Sequence, residues 1–476
     1  MADDGSGPLR IAIVGGGIAG LAAAHEALLL AKDRRRAVIV TVLEKARQLG
    51  GNLITEASGG FLLDAGADSW VTTKPHAAAL AREVGLQDSI IGTREGTRRY
   101  FVAWHDGLHP VPDGLVLGVP TRVTPLIRTP IFSALGKLRM ALEPLIPARR
   151  FEGDDDESIA DFAIRRLGRE AADRLVAPLL GGISAGDASD LSVRAAFPQF
   201  VAMERDHGSL VRGTIAAQRA RARAAGQGAG DGAFRSLRGG IAGLARAVAE
   251  HAREAGALLQ TGVGVRTLSR AGATWSLELE GGGRTTADAV ILAVPASAAS
   301  VLLRSIDNVV ARDLGAVPFG STATVFLGYR CEDVAHPLDG VGFVVPRSLG
   351  RPILAGTWVS SKWEGRAPDG HVLVRAFFSL GGGVDGDDGS LVRLARAELT
   401  ALMGLSATPV LSRVFRFDHA SPQMRVGHLA RMREVREGLA RVAPGLRVAG
   451  GGYEGIGIAD SVRQGREAAR TILEGR

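Results

Sequence analysis

Cysteine is almost absent from this chain of 476 residues, which contains only Cys331. A single cysteine cannot form an internal disulfide or supply a cysteine-based metal cluster. The ten histidines do not fall at metal-ligand spacings, so no metal site is predicted. The first residues lack a positively charged segment ahead of an apolar run, so no signal peptide is predicted. These absences favour a reducing, cytoplasmic compartment.

Long apolar runs and aromatic side chains are also scarce. The longest mostly apolar stretch, residues 289–303, contains Pro295 and is too short to span a bilayer. Aromatic residues make up 5% of the chain, which leaves few side chains for stacking on nucleic-acid bases despite a net charge of +7. We therefore expect neither a transmembrane helix nor nucleic-acid binding. The length and the hydrophobic content of 46% predict a soluble globular protein of two or three subdomains.

Glycine, by contrast, is abundant, with 64 residues, and forms a motif near the start of the chain. Residues 11–14 are a short apolar run typical of a buried parallel strand, and they lead directly into Gly-x-Gly-x-x-Gly at 15–20. A helical pattern follows over 21–31, and a second apolar run over 38–43 ends at Glu44. This order of strand, glycine loop, helix, strand and acid predicts a dinucleotide-binding βαβ unit.

Each residue type in the motif has its own chemical reason. Gly15 allows a tight turn, Gly17 leaves room for a pyrophosphate, and Gly20 allows close packing of helix and strand. The helix N-terminus directs free amides at the phosphates. Glu44 can accept hydrogen bonds from ribose hydroxyls and would repel a 2′-phosphate, which disfavours NADP.

Further glycine-rich corners occur at both ends of the chain. Gly50 and Gly51 suit a second close approach of backbone to phosphate or flavin, and a plain turn is the alternative. Residues 66–69 form a similar corner after a short strand at 61–64. Residues 450–459 lie between a buried-type strand at 446–449 and a helix at 461–474. The nucleotide-binding fold is therefore predicted to be split between residues before 75 and after 440.

The intervening residues predict two further units. A hairpin is expected over 101–111, mainly helical structure over 120–225 and a flexible loop over 226–233. A strand centred on Val263 and Val265 precedes a second sheet with strands at 322–329, 342–345 and 372–379 and a helix at 391–403. The predicted fold combines α/β and α+β character. Its parts are a split Rossmann-like dinucleotide-binding domain (1–75, 234–300, 426–476), a mixed-sheet domain (76–119, 301–425) and a helical insertion (120–225).

This arrangement resembles the FAD-dependent amine oxidase and protoporphyrinogen oxidase superfamily, and most of all the bacterial oxygen-dependent porphyrinogen oxidases of haem synthesis. The glycine motif and Gly50-Gly51 are specific only to the superfamily. Segments between 182 and 200 and between 422 and 458 look specific to the porphyrinogen branch. The matching segments are 13–21, 43–44 with 50–51, 66–69, 182–187 (Gly-Ile-Ser-Ala-Gly-Asp), 191–192, 197–200 (Phe-Pro-Gln-Phe), 426–428 (Val-Gly-His) and 453–458 (Tyr-Glu-Gly-Ile-Gly-Ile).

The resemblance implies that the split Rossmann-like domain is an FAD-binding domain and that the mixed-sheet domain is the substrate domain. The FAD is implied to be non-covalent, with its ribose on Glu44, its adenine beside the backbone of Val265 and its isoalloxazine beside 66–69. Phe417 stands where relatives often carry tryptophan, Met424 replaces a common tyrosine, and Ser461 stands near a usual cysteine. The implied cofactor-binding residues are Gly15, Gly16, Gly17, Ile18, Ala19, Gly20, Glu44, Lys45, Arg47, Gly50, Gly51, Gly66, Ala67, Asp68, Ser69, Val265, Phe417, Ile456, Gly457 and Ile458.

The implied reaction is porphyrinogen oxidation to the porphyrin, in which a meso-carbon hydride passes to flavin N5, O2 accepts the electrons and H2O2 is released. The flavin performs the chemistry, so no catalytic side chain is predicted. Cations are needed for the substrate propionates, and Arg99 and Lys74 are the candidates, each with a surface charge as the alternative. Phe343 and Gly356 are weaker candidates for the pocket lining.

Several alternatives stay open. A flavin amine oxidase or a carotenoid desaturase shares the cofactor segments, and a non-catalytic flavoprotein would keep the glycine loops. The resemblance leaves open coproporphyrinogen III or protoporphyrinogen IX as substrate, a monomer or a homodimer, and product hand-off to ferrochelatase. Helices between 120 and 225 could contact the inner membrane face, but an apolar face that is simply core is favoured.

Overall fold

The computed structural model describes residues 7–94, 96, 99–105, 107–182, 186–225, 232–381 and 384–475. Three residues of the motif at 182–187, namely 183–185, lie outside the described residues. So do Asp106 of the predicted hairpin turn and most of the predicted loop at 226–233. Strands and helices are numbered below in chain order.

A five-stranded parallel sheet carries the glycine motif. Its strand β1 (Leu9–Val14) is buried on both faces, as the apolar run predicts. The strands come from three distant parts of the sequence, which confirms the split Rossmann-like fold. The order across the sheet is β12 (Leu258–Thr261), β2 (Val38–Glu44), β1 (Leu9–Val14), β16 (Ala289–Leu292) and β22 (Leu446–Val448).

Helices cover both faces of this sheet. On one face, α1 (Ile18–Asp33) packs closely on α17 (Ile458–Glu474). A Cβ at Gly465 would lie 2.0 Å from the Ala19 carbonyl oxygen. This face carries α1 (Ile18–Asp33), α2 (His76–Glu83), α11 (Ala242–Glu254) and α17 (Ile458–Glu474). The other face carries the antiparallel strands β13 (Val265–Ala271), β14 (Thr274–Leu279) and β15 (Arg284–Ala287), with α12 (Ala296–Leu303), α13 (Asn308–Gly315) and α16 (His428–Val442).

The strand predicted around Val263 and Val265 is wrong in its extent. The chain instead forms β12 before residue 262 and β13 from Val265, because β12 joins the parallel sheet while β13 turns away to pair with β14. Two small sheets complete this part of the molecule. They are β3 (Thr55–Ser58) with β4 (Phe61–Asp64), and β5 (Trp70–Val71), β11 (Phe234–Leu237) and β6 (Ile90–Gly92).

A seven-stranded mixed sheet forms the second unit. The strands predicted at 322–329, 342–345 and 372–379 are confirmed. The strands β19 (Ile353–Trp358) and β21 (Leu411–Pro422) were not predicted. The order is β21 (Leu411–Pro422), β17 (Phe319–Arg330), β20 (His371–Ser379), β19 (Ile353–Trp358), β18 (Gly342–Val344), β7 (Tyr100–Trp104) and β8 (Gly107–Pro110). One face packs on α15 (Asp388–Met403), and α14 (Val359–Lys362) follows β19.

The third unit is mainly helical, as predicted, and has its own apolar core. It contains β9 (Leu115–Val116), β10 (Val119–Pro120), α3 (Val123–Arg128), α4 (Ala134–Ala141), α5 (Ile159–Leu167), α6 (Arg169–Ala171), a π-helical turn (Ala172–Val176), α7 (Ala177–Gly182), α8 (Val193–Ala196), α9 (Pro198–His207) and α10 (Leu210–Ala225). Among the described residues, no helix is both long and apolar enough to cross a bilayer.

Candidate dinucleotide-binding and active site

The two glycine-rich loops leave the same edge of the parallel sheet. Strands β1 and β22 are both parallel to β16, so the loops that follow them emerge at one carboxyl edge. Each loop leads into a helix, α1 or α17, and the two helices pack against each other. Two helix N-termini therefore lie together at one edge, which is where α/β sheets bind ligands.

The three motif glycines meet different surroundings. A Cβ on Gly15 would lie 2.4 Å from the Ala293 carbonyl oxygen, and one on Gly20 would lie 2.0 Å from the Gly15 carbonyl oxygen. A Cβ on Gly17 would meet nothing closer than the Gly51 Cα at 4.0 Å. Gly15 and Gly20 are thus required by packing, while Gly17 presents bare backbone to open space. All residues of α1 belong to the described part of the chain. No side chain caps its N-terminus, and its first turn holds no acidic residue.

Glu44 points from the end of β2 into the first glycine loop. Its Oε2 accepts a hydrogen bond of 2.6 Å from the Gly16 amide, and its Oε1 accepts one of 2.7 Å from the Ala46 amide. Each carboxylate oxygen keeps a further acceptor position for a ribose hydroxyl. The same loop is held against the second corner, because the Gly50 amide donates to the Gly16 carbonyl at 2.8 Å.

The segment before β13 lies along the acidic end of β2. The Val263 amide donates to the Glu44 carbonyl at 2.8 Å, and the Gly262 amide donates to the Ala46 carbonyl at 2.9 Å. Val265 is the first residue of β13 and lies two residues after Val263 in the sequence. Lys45 is exposed and pairs with Glu280 at 2.9 Å, and Arg47 is exposed.

The closing loop before α17 is fixed from several sides. The Tyr453 carbonyl accepts a hydrogen bond of 2.8 Å from Nε2 of buried His428, and the Tyr453 hydroxyl donates to the Val294 carbonyl at 3.0 Å. Burial lowers the pKa of His428, which favours the neutral imidazole with its proton on Nε2. Asp460 Oδ2 accepts from the Gly457 amide at 3.2 Å. The backbone of 456–458 is therefore held at the start of α17.

The corner at 66–69 is supported by a buried carboxylate. Asp68 Oδ2 accepts hydrogen bonds from Lys362 Nζ at 2.7 Å and from Trp363 Nε1 at 2.9 Å, and its Oδ1 accepts from the Ser69 hydroxyl at 2.7 Å. Burial alone would raise the pKa of Asp68, but the charge and hydrogen bond of Lys362 outweigh it and hold that pKa well below its ordinary value. Asp68 is therefore ionised at neutral pH.

One face of the seven-stranded sheet closes on this corner. The Thr324 hydroxyl donates to the Ala65 carbonyl at 3.2 Å, and Arg375 Nη2 donates to the Ala65 and Gly66 carbonyls at 2.5 and 2.8 Å. A Cβ on Gly66 would lie 3.7 Å from Cζ of Phe417. Phe417 and the 66–69 corner are thus brought together, as the cofactor prediction requires.

The glycine-lined edge fits a dinucleotide. Gly17 leaves open space, the uncapped amides at the start of α1 supply hydrogen-bond donors, and the acid at the end of β2 supplies acceptors. This is the order that a dinucleotide cofactor needs. Gly15–Gly20 and Glu44 would hold the diphosphate and the ribose. The 66–69 corner and the 456–458 backbone would hold the flavin ring system.

Lys74, predicted to anchor substrate, forms a bidentate pair with Asp460. Its Nζ lies 2.8 and 2.7 Å from the two carboxylate oxygens of Asp460, which is only 7% exposed. Asp460 stands in the first turn of α17, where a negative charge is favourable. The contact gives Lys74 a role in holding the start of α17.

We expect Lys74→Met to weaken both folding and FAD binding, because it leaves the Asp460 carboxylate buried without its cation. The expected loss of unfolding free energy is about 1–3 kcal/mol, with a lower melting temperature of the holoenzyme. The double variant Lys74→Met/Asp460→Asn is expected to regain most of that stability. A substrate anchor would behave differently, raising the KM for substrate while the melting temperature and FAD affinity stay at their wild-type values.

The other three predicted substrate residues are not brought to the 66–69 corner by any contact within the described residues. Arg99 is exposed and pairs with Asp339 at 3.1 Å. Phe343 and Gly356 are directly paired across β18 and β19, and Gly356 is paired with Ala376. Opposed residues share one face of a sheet, so Phe343, Gly356 and Ala376 lie on the face that packs on α15, opposite to the face of Arg375. Phe343 is 2% exposed and belongs to that core.

Sequence reasoning missed Thr324, Lys362, Arg375 and Asp460. A signal was available for Arg375, since it is the one charged residue between Val372 and Phe378 in an otherwise apolar strand. A charge at the centre of a buried strand points to a specific partner. The partners themselves, two carbonyls more than 300 residues away in sequence, could not be read from the pattern.

The chain is similar to known flavoproteins over nearly its full length. The family model for flavin-containing amine oxidoreductases matches residues 18–473. A coproporphyrinogen III oxidase of Bacillus subtilis (strain 168) is 33% identical over 98% of both chains, and chloroplastic protoporphyrinogen oxidase 1 of Arabidopsis thaliana is 28% identical over 97% of this chain and 85% of that one. The crystal structure of a candidate protoporphyrinogen oxidase from Exiguobacterium sp. 255-15 superposes with a TM-score of 0.85 at 30% identity, covering 99% of this chain and all of the other.

Proposed function

The chain belongs to the flavin-containing amine oxidoreductase family, and on that premise we propose that it is an FAD-dependent oxidase that converts a porphyrinogen to the porphyrin in haem biosynthesis. The observation that carries the proposal is the near-full-length similarity to porphyrinogen oxidases, joined to a dinucleotide edge whose glycines, acid and closing loop are all present. The more similar of the two named relatives acts, by its name, on coproporphyrinogen III, which is the substrate to test first.

FAD, when bound, would supply the redox chemistry of hydride removal from the meso carbons and electron transfer to O2, with H2O2 as the product. The chain's own residues bind, orient and enclose. Glu44 and the glycine loop hold the nucleotide end of FAD. Two hydrogen bonds, from His428 to the Tyr453 carbonyl and from the Gly457 amide to Asp460, fix the closing loop. Thr324 and Arg375 hold the 66–69 corner against the second sheet, so that a flavin bound at the corner would lie beside that face of the sheet.

Aerobic turnover tests this proposal. The purified holoenzyme is incubated in separate assays with coproporphyrinogen III, protoporphyrinogen IX or an amine. Porphyrin formation is followed by its absorbance, and O2 consumption is recorded together with H2O2. We expect three O2 consumed and three H2O2 formed for each porphyrin, because six hydrogens leave the macrocycle. Porphyrin formation no faster than in a protein-free control would refute the proposal. Turnover of amines alone would indicate a flavin amine oxidase.

We also propose a peripheral contact of the helical unit with an anionic membrane. Five large apolar side chains stand exposed on and beside α3 and α4, here called the apolar surface, at 56–79% exposure: Val123, Ile127, Leu135, Leu138 and Leu145. Exposed Arg122, Arg128, Arg149 and Arg150 flank them, and the one acid between residues 114 and 151, Glu143, is fully buried. Exposed apolar side chains flanked in sequence by cations suit an anionic lipid surface.

Vesicle flotation measures this contact. We expect the holoenzyme to float with vesicles that contain phosphatidylglycerol, and the variant Leu135→Glu/Leu145→Glu to bind at least tenfold more weakly, since each leucine contributes about 1.5–3 kcal/mol when fully buried. Val309→Glu, at a valine on α13 that is 56% exposed, is the control and should float like wild type. A wild-type protein that stays in the soluble fraction, or a double variant that floats equally well, would contradict the contact.

A further inference from the structure

A largely buried cluster of charged side chains lies at the 66–69 corner. It consists of Arg375, Lys362 and Asp68, and Asp68 is bonded to Lys362, Trp363 and Ser69 as described above. Arg375 is 5% exposed, and the Lys362 and Asp68 side chains are 13% and 19% exposed. Nearby Asp64 is paired with its own cation, Arg366, at 3.0 Å, so that pair is balanced.

Arg375 makes no direct ion pair within the described residues, although it is almost completely buried. Its Nη2 donates to the Ala65 and Gly66 carbonyls, its Nε has no hydrogen-bond partner, and its guanidinium lies 4.3 Å from the Phe377 ring centroid and 5.2 Å from that of Phe326. Two aromatic faces stabilise a desolvated cation. Burial lowers the pKa of Arg375 to about 10, so the side chain is still charged at neutral pH.

The charges in the cluster do not cancel. Arg375 and Lys362 supply two positive charges and Asp68 supplies one negative charge, which leaves one positive charge behind the backbone of the corner. A buried charge without a matched partner is costly for folding, so its retention calls for a compensating role. The corner that it underlies is the one proposed to contact the isoalloxazine.

We propose that Arg375 is a positioning residue that fixes the 66–69 corner and, through the uncancelled positive charge of its cluster, raises the reduction potential of the flavin held there. The inference rests on the proposed placement of the flavin beside Gly66. Reduction adds electrons to the flavin ring system, and a fixed positive charge in a region of low dielectric constant favours that change. Thr324, which bonds the same Ala65 carbonyl but carries no charge, holds the corner without affecting the potential.

Two substitutions change the cluster charge in opposite directions. Arg375→Met removes one positive charge, and we expect it to lower the reduced-to-oxidised flavin ratio at a given poise at least tenfold, about 30 mV for a two-electron couple. Asp68→Asn removes the negative charge, and we expect the ratio to rise by a similar factor. The midpoint potential of each holoenzyme is measured by equilibration with a reference dye, without any substrate. Arg375→Lys, which keeps the charge, should restore most of the potential.

Controls separate this role from a purely structural one. Arg413→Met removes an exposed arginine of the same sheet that pairs with Glu56, and it should leave the potential unchanged. Should Arg375→Met fail to fold with FAD, the upward shift in Asp68→Asn carries the test alone. Potentials that stay at the wild-type value in both variants, or that fall in both, would overturn the proposal. Because no porphyrinogen is present, this outcome is independent of the substrate assignment.

Discussion

Replacing Gly17 by valine is expected to reduce FAD affinity at least 100-fold, about 2.7 kcal/mol, while the apoprotein melts within about 2 °C of wild type. The reason is geometric. The backbone of Gly17 is extended (φ −69°, ψ 175°), a conformation that valine adopts, and a Cβ there meets no protein atom closer than 4.0 Å. The added side chain therefore fills space intended for the diphosphate without disturbing the fold.

Two matched variants make this result specific. Gly20→Val should lower the melting temperature of the apoprotein strongly, since its Cβ would lie 2.0 Å from a main-chain oxygen. Gly281→Val, in an exposed turn where a Cβ meets no atom within 4 Å, should change neither property. FAD affinity is measured by titration of the apoprotein, and stability by differential scanning. A Gly17→Val protein that binds FAD with wild-type affinity would show that the diphosphate does not bind at this loop.

Replacing Arg166 by methionine is expected to cost about 3–5 kcal/mol of unfolding free energy, and the loss should fall on the helical unit. Arg166, Glu143 and Glu204 are all fully buried. Arg166 Nε donates to Glu143 at 2.8 Å and Nη1 donates to Glu204 at 3.3 Å, and Glu143 in turn accepts from the Ser209 hydroxyl and the Leu210 amide. Without the arginine, Glu143 would be a buried carboxylate without its cation.

Hydrogen exchange resolved by segment measures this effect, because a chain with several units need not unfold in one step. We expect faster exchange across α5, α9 and α10 in the Arg166→Met protein, with the parallel sheet little changed. Arg205→Met is the control, since Arg205 is exposed and pairs only with its neighbour Asp206 in the described structure. Equal exchange in the two variants would show that the buried network does not stabilise the helical unit.

The parts of the fold that the sequence predicted are those with local patterns. The apolar run at 11–14, its glycines and the acid at residue 44 lie within one continuous segment, and each has a periodicity or spacing of its own. Strand β21 was missed although it contains Val414, Phe415 and Phe417, which are β-branched and aromatic residues of the kind enriched in strands. Its partner β17 lies about 90 residues earlier in the chain.

The orientation of the predicted substrate residues could not be read from the sequence, because the face of a sheet on which a residue lies depends on register. Phe343 lies in the expected strand β18 and Gly356 in β19, which was not predicted, and pairing with Ala376 sets both residues on the α15 face. A shift of one residue along either strand would have placed them beside Arg375. Lys74 was identified as an important cation, yet its partner Asp460 is 386 residues away in sequence. Such pairings are fixed by packing between distant elements, and no local pattern encodes them.

Anaerobic stopped-flow reduction of the bound flavin tests the central claim most directly. The holoenzyme is mixed in turn with coproporphyrinogen III, protoporphyrinogen IX, a polyamine and an aromatic amine, and the flavin absorbance is followed before any oxygen is admitted. The account predicts rapid bleaching by a porphyrinogen and none by the amines. Bleaching by an amine alone, or by none of the four compounds, would contradict the assignment of this chain as a porphyrinogen oxidase.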